Sequence, residues 1–421
     1  MLNYIDLFAG CGGLSEGFIR KGFNSIAHIE MNKDAIDTLK TRMVYYYLKR
    51  NKKLDQYYKY LRKEINRDEL YSLAPKNLLN TCICDTISYQ SINNIFDNVD
   101  VLLKDKKVDV IIGGPPCQAY SLVGRSIKSA KDKEKIKNNE YIEEDPRNYL
   151  YKLYCMFLKK YKPKIFVFEN VAGLLSAKQG KFYKNFKALA RRNGYVVDDK
   201  ILISSDYGVL QARKRVIIMG WLKKLDLKYP DFKKNIAQTT INEMFNDLPF
   251  LNQGEEKKKY SNNKISEYCL KYKIRESSDV LTQHVARPTL ERDRKIYEIA
   301  VNLWNNGHQR LHYDELPENL KTHKNRKSFI DRFKVVEGDT NECHTMMAHI
   351  SKDGHYFIHP DIQQRRSISV REAARIQSFP DSYFFEGGRT AAFMQIGNAV
   401  PPLMAEEIAK QVKLMLKNIK E

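Results

Sequence analysis

The residues of this chain best placed to do chemistry stand just beyond the ends of apolar runs. The run Val108-Asp109-Val110-Ile111-Ile112 reads as a buried strand, Gly113, Gly114, Pro115 and Pro116 stop it, and Cys117 follows at once. Open α/β sheets put their chemistry at the carboxyl ends of strands, and a thiolate there is a competent nucleophile. The plain alternative is a small cysteine buried at a turn. A second run, Lys164-Ile165-Phe166-Val167-Phe168, ends at Glu169-Asn170-Val171. A carboxyl acid beside a nucleophile suits attack on an electron-poor ring, with a proton delivered to a ring nitrogen; a solvated strand end is the alternative. Gln211-Ala212-Arg213-Lys214-Arg215 supplies fixed donors for a phosphate or a carbonyl oxygen, or is a solvated basic turn. Gln395-Ile396-Gly397-Asn398-Ala399-Val400-Pro401-Pro402 opens the last helix with proline just inside its start.

A glycine turn sits at the start of the chain. Asp6-Leu7-Phe8-Ala9-Gly10-Cys11-Gly12-Gly13 reads as a strand, a tight turn and the start of a helix, and Glu30 ends the next strand. Such a turn lets backbone N–H groups approach a ligand, and an acid at the second strand's end takes ribose hydroxyls. The spacing is not G-x-G-x-x-G, which disfavours a pyrophosphate and leaves an adenosine-containing cofactor or a plain turn.

The elements that must carry these residues are strands at 3–8, 25–29, 109–114, 164–168, 200–203 and 215–219, alternating with helical stretches at 14–21, 370–377 and 404–420. That rhythm predicts an α/β fold with a parallel, doubly wound sheet. With 421 residues the chain is long enough for two domains. We divide it into a catalytic and cofactor-binding domain, 1–225, a second and less regular domain, 226–365, and a return to the first, 366–421. Within the first, residues 41–79 carry ten Lys and Arg against four acids, together with a tyrosine stripe. This reads as a helical insertion, packing its tyrosines on the core or presenting a basic aromatic face to a nucleic-acid backbone. The segment 121–148 is long, polar and Lys-dense, as functional connections are.

Composition narrows the function classes. The net charge of +21 favours a polyanionic partner, nucleic acid first. No apolar stretch approaches the length of a membrane span, and the N-terminus enters a strand-like run with no basic leader, so a cytoplasmic protein is expected. Seven irregularly spaced cysteines argue against a disulfide framework. His344, His349, His355 and His359 near Cys343 match no common metal-ligand spacing and read as a solvated or DNA-facing segment.

The blocks DLFAGCGG, GGPPCQAYS, FENV, QARKR, REAARIQSFPD and QIGNAVPP occur in this order between Asp6 and Pro402. Together they resemble the DNA (cytosine-5) methyltransferase family, of the bacterial restriction–modification type. The resemblance implies a Rossmann-like S-adenosylmethionine-dependent methyltransferase sheet with a smaller target-recognition domain at 226–365. It implies that Cys117 attacks C6 of a cytosine flipped out of the duplex. Glu169 would bond N3 and the exocyclic amine, Arg213 and Arg215 would hold O2 and the flanking phosphate, and Asn398 would brace the loop at the base. S-adenosyl-L-methionine, leaving as S-adenosyl-L-homocysteine, would lie on Asp6, Phe8, Ala9, Gly10, Gly12, Gly13 and Leu14. Phe8 would lie against its adenine, Glu30 would bind its ribose and Asp85 its adenine amine, with Met31, Thr86, Pro115, Leu150, Asn398 and Val400 completing the site. No metal is implied. The segment 121–148 falls where the family has its closing catalytic loop.

The implied partner is double-stranded DNA. A cognate restriction endonuclease would act independently, and the enzyme would be a nucleoid-associated monomer. The alternatives are an RNA cytosine-5 methyltransferase of the same architecture, whose Cys-Phe-Thr block is missing here, or a catalytically inactive DNA-binding relative. Two departures from the family pattern are the 41–79 insertion and the approach Thr340-Asn341-Glu342-Cys343-His344-Thr345 to the last blocks.

Overall fold

The apolar runs form strands because alternate residues are buried against opposite faces of one sheet. Ile111 joins the core on one side, while Val110 and Ile112 join the core on the other. The computed structural model describes residues 1–116, 149–177, 179–322 and 330–419. Cys117 and the segment 121–148 lie outside the described residues. The strands are β1 (Asn3–Leu7), β2 (Asn24–Glu30), β3 (Cys82–Cys84), β4 (Val110–Gly113), β5 (Ile165–Asn170), β6 (Tyr195–Ile203) and β7 (Lys214–Leu222). Their order in the sheet is β3-β2-β1-β4-β5-β7-β6. The chain runs outward from β1 in both directions, so a crevice opens at the carboxyl ends of β1 and β4.

The sheet is mixed, which corrects the expectation of an all-parallel one. Strands β1 to β5 pair in parallel, whereas β7 runs antiparallel to both β5 and β6. The cause is the short link from β6 to β7, a 3-10 turn at Ser204–Tyr207 and a few residues more. A parallel return needs a crossover of a dozen or more residues.

The helices are α1 (Gly13–Arg20), α2 (Lys33–Arg50), α3 (Leu54–Leu61), α4 (Arg67–Ser72), α5 (Lys76–Leu79), α6 (Ile92–Leu103), α7 (Leu150–Tyr161) and α8 (Lys181–Arg192). They continue with α9 (Ile241–Phe245), α10 (Glu267–Lys271), α11 (Glu291–Gly307), α12 (Val370–Ile376), α13 (Arg389–Asn398) and α14 (Pro402–Lys417). Helices α6, α7 and α8 cover one face of the sheet and α1 and α14 the other. No described helix is long and apolar enough to cross a membrane.

Between residues 226 and 365 the described chain holds only isolated β-bridges, short helices and α11. One apolar cluster there is self-contained, built on Ile296, Tyr297, Tyr313 and Phe333. A second joins Ile241, Met244 and Phe357 to Ile368, Ile376, Phe379 and Phe393. Residues 368–396 thus serve as the seam between the irregular region and the sheet, and α14 returns fully to the sheet.

The tyrosine stripe of the 41–79 stretch packs inward. Tyr45, Tyr57 and Tyr58 are buried with Leu48, Leu61 and Leu70, and the Tyr57 hydroxyl donates to the Ser382 carbonyl at 2.8 Å. Tyr45 and Tyr57 are therefore closed to a nucleic-acid backbone. The histidine segment also differs from its expected solvated character. His355 and His359 are buried, the first against Tyr297 and the second stacked on Phe245, and His344 faces Glu337 at 2.9 Å. Each ring finds a partner inside the fold, which removes the need for water. Among the described residues, no group of three His, Cys, Asp or Glu is arranged to hold a metal ion.

Helices α1 and α2 are locked by a buried ion cluster. Arg42 grips Glu16 with two donors, Nη2 at 2.7 Å and Nε at 2.9 Å, and the Tyr46 hydroxyl adds a third at 2.7 Å. Burial pushes the Glu16 carboxyl up, but the charges of Arg42 and Arg20 and these hydrogen bonds outweigh it and bring it down to about 2. A depressed carboxyl stabilises the fold fully above its unfolded value near 4.5, and that contribution is lost as pH falls toward 2. Thermal melts should therefore lose stability between pH 4.5 and about 2, and Glu16→Gln should flatten that acid limb while lowering the neutral plateau.

Candidate active site

A cleft of about 1700 Å³ opens at the carboxyl ends of β1, β2, β4 and β5. All the residues expected to hold cofactor line it except Gly12, which caps α1 and turns toward Leu39 and Tyr383. The local fold explains the arrangement. After β1 the chain bends through left-handed Phe8 and Gly10, and a Cβ on Gly10 would meet nothing within 4 Å. The turn therefore presents bare backbone to the cleft.

Glu30, at the end of β2, is held by two backbone donors, Gly10 N–H on Oε2 at 2.9 Å and Asn32 N–H on Oε1 at 2.8 Å. Both oxygens keep lone pairs for a diol. The loop after β3 docks beside it, with Asp85 N–H bonded to the Glu30 carbonyl at 3.1 Å. The Asp85 carboxylate accepts from Thr86 N–H at 2.7 Å. Asp6 forms part of the lining and is 1% exposed, and its Oδ2 has no protein partner. Burial and then the charge of Glu30 push its carboxyl well above the usual range. A buried carboxyl with an unanswered oxygen, a bare glycine turn and an anchored acid fit a ligand carrying an adenosine and a polar chain.

The other end of the cleft holds the residues proposed for catalysis. Arg215 donates Nε to Glu169 Oε1 at 2.8 Å, and both side chains are nearly buried. Glu169 Oε2 lies on the side of Gly114, where an added Cβ would stand 2.7 Å from it. Asn170 donates Nδ2 to the Pro115 carbonyl at 3.0 Å, so the segment leading to Cys117 is fixed beside Glu169. Leu150, the first residue of α7, and Val400 line the middle of the cleft.

Arg213 is held by backbone carbonyls at the edge of the cleft. It is 2% exposed, and its guanidinium donates to the carbonyls of Met346 at 2.8 Å, Gly397 at 3.1 Å and Asn398 at 3.4 Å. It lines the cleft and in this geometry also holds the end of α13. Residues 395–398 differ from the expected start of the last helix. They close α13, and Pro402 is the first residue of α14.

The sequence reading missed the wall opposite. Thr345, Met347, His349, Lys352 and Tyr356 line the cleft from the irregular region, and Thr390 and Met394 from α13. No periodicity marks these residues. The asparagine of FENV was the one available signal for the brace on Pro115.

An open α/β sheet with a ligand cleft at its switch point and an acid–arginine pair at one end defines a Rossmann-like fold with a candidate active site. A solved structure shares that fold. The chain aligns over 99% of its length, and 100% of the other's, with the crystal structure of a protein described as a DNA modification methyltransferase of an E. coli prophage, at a TM-score of 0.66 and 22% identity. The model of the C-5 cytosine-specific DNA methylase family matches residues 2–68 and 76–414. The type II methyltransferase M.Bpa9945I of Bacillus paralicheniformis is 44% identical over 97% of this chain and 98% of that relative. The type II methyltransferase M1.HphI of Haemophilus parahaemolyticus is 30% identical over 99% and 88%. The chain belongs to the C-5 cytosine-specific DNA methylase family and is a DNA cytosine-5 methyltransferase.

Proposed function

We propose that the chain is the sequence-specific modification enzyme of a bacterial restriction–modification system, and that it draws its methyl group from S-adenosylmethionine bound in the cleft. The observation that carries the reading is one continuous cleft with the Glu30–Gly10 cradle at one end and the Glu169–Arg215 pair at the other. The type II relatives, matched over nearly their whole lengths, support the restriction–modification role. The net charge of +21 supports a duplex DNA substrate. The enzyme works as a cytoplasmic monomer, independently of any cognate endonuclease.

A cytosine in duplex DNA must leave the stack to reach Glu169. The Cys117 thiolate adds to C6 of the extruded ring. Glu169, oriented by Arg215, bonds N3 and the exocyclic amine through Oε2 and stabilises the charge that moves onto the ring. S-adenosylmethionine, when bound on Glu30, Asp85 and the glycine turn, supplies the methyl group to C5. Water takes the C5 proton, the C5–H electrons form the C5–C6 double bond, and Cys117 leaves C6 as the thiolate, which restores the aromatic ring.

The test is transfer of labelled methyl from S-adenosylmethionine to unmethylated duplex DNA and to RNA, followed by bisulfite sequencing of the DNA. The expected result is methylcytosine at one short recurring motif. Label in RNA alone, or in neither polymer, would overturn the proposal.

A further inference from the structure

Helix α3 reaches the α13 wall of the cleft through a buried carboxylate. Glu386 is 5% exposed and stands just before α13. Its Oε1 accepts the Thr41 hydroxyl at 2.5 Å and the Tyr60 hydroxyl at 2.7 Å. Arg67 Nη1 lies 3.6 Å from its Oε2 and bridges to Asp37 Oδ2 at 3.0 Å. Thr41 and Asp37 belong to α2, but Tyr60 lies on α3 and Arg67 opens α4.

From Glu386 the ties run on into the cleft. Its backbone N–H donates to Thr38 Oγ1 at 2.8 Å, and its carbonyl accepts from Gln395 Nε2 at 2.9 Å. Thr38 in turn donates to Gln395 Oε1 at 2.7 Å. The Gln395 carbonyl faces Cys11 Sγ, in the glycine turn, at 3.6 Å. Gly387 sits at a φ of +87°, and a Cβ there would stand 2.7 Å from Asp34 Cγ, so the turn is pressed onto the start of α2. Gly388, Thr390, Ala391 and Met394, the residues that follow, line the cleft.

We propose that Tyr60 of α3, acting through Glu386, is a positioning residue that sets the α13 wall of the cofactor cleft and thereby the affinity for cofactor. The inference rests on the reading of this cleft as the S-adenosylmethionine site. Tyr60 does not line the cleft, so it acts through Glu386 and Gln395. Burial pushes the Glu386 carboxyl up against the pull of Thr41, Tyr60 and Arg67. Removing one donor therefore disturbs the turn that starts α13. A wall displaced by a fraction of an ångström weakens a ligand that must meet several fixed groups at once.

The test is calorimetric binding of S-adenosylhomocysteine to the full chain and to Tyr60→Phe, Glu386→Gln, the double variant and Arg62→Ala. Arg62 pairs with Glu64 on the surface and serves as the control. We expect affinity to fall about fivefold in Tyr60→Phe and about tenfold in Glu386→Gln, with Arg62→Ala unchanged. The double variant should be no worse than Glu386→Gln alone, because the two groups act along one path. The KM for cofactor should rise in step while kcat at saturating cofactor stays within about twofold, a split that a general loosening of the fold would not give. Affinities within about twofold of the parent in both single variants, or fully additive losses in the double variant, would overturn the proposal. Failure of the parent to bind S-adenosylhomocysteine would overturn the cofactor reading and this inference together. Parent binding with unchanged variants would overturn this inference alone.

Discussion

Replacing Cys117 with serine should end methyl transfer, and replacing Glu169 with glutamine should slow it by about a thousandfold while cofactor binding stays within about twofold. A serine hydroxyl cannot stand in for the thiol, because a thiolate is intrinsically far more nucleophilic and is populated at neutral pH. The Glu169 exchange is close to isosteric. Its Oε1 position can still accept from Arg215, as the carboxylate does at 2.8 Å. What it loses is the capacity to carry a proton and a negative charge on the Gly114 side of the pair. A thousandfold corresponds to about 4 kcal/mol of transition-state stabilisation, within reach of one proton-handling group in a water-poor site. Cofactor binding should survive because Glu30, Asp6 and Asp85 occupy the other end of the cleft. Single-turnover rates with saturating DNA, set beside calorimetry with S-adenosylhomocysteine, separate the two effects. A Glu169→Gln enzyme that retains more than about a tenth of the parent rate would remove this residue from proton transfer.

The strands that carry this chemistry were legible because both of their faces are buried, which leaves continuous apolar runs in the sequence. Their termini were legible too, since Gly113 to Pro116 and Glu169 interrupt those runs abruptly. Strand β3 was not, because three residues, Cys82-Ile83-Cys84, are too few to show a period. The direction of β7 leaves no trace in an alternating pattern and is decided by the length of its link to β6. Helix α13 escaped notice because its buried face includes Gln395 and Gly397 while its exposed face carries Met394, so no apolar stripe marks it. Arg213 and Arg215 read alike in QARKR, yet they part in the fold. The strand carries Arg215 to Glu169, while Arg213 turns into the seam and holds three carbonyls. Depth of burial is a tertiary property, and two arginines a pair of residues apart do not reveal which one goes inside.

The second large effect concerns that seam. Arg375→Met should destabilise the chain by about 3–5 kcal/mol at pH 7, and by less at pH 5. Arg375 is fully buried on α12, within the REAARIQSFPD block. Its Nη1 lies 2.5 Å from Asp247 Oδ1, in the irregular region, and donates to the Met244 carbonyl at 2.7 Å. Its Nη2 and Nε grip the two oxygens of Asp381 at 2.6 Å and 3.0 Å. Methionine fills similar volume but leaves two buried carboxylates with weaker support. Asp381 would keep the Tyr260 hydroxyl at 2.8 Å and Arg371 at 3.7 Å, and Asp247 would keep Arg275 at 3.4 Å.

The pH dependence follows from the sign of the Asp381 shift. Burial pushes that carboxyl up, but Arg375 first and Arg371 next hold it below the usual range. Without Arg375, burial dominates and the group takes up a proton on folding. The native state of the variant then binds more protons than its unfolded state near neutrality, so its stability rises as pH falls. The parent gains nothing from the same change, because its Asp381 stays charged down to more acid conditions. Urea unfolding of parent and variant at pH 7 and pH 5 measures both differences. Arg375→Lys restores one charge without the planar fork and should fall between them. A loss below about 1 kcal/mol at pH 7, or a gap that widens at pH 5, would show that the seam is held by the apolar contacts of Met244, Ile376 and Phe379 rather than by this ion cluster.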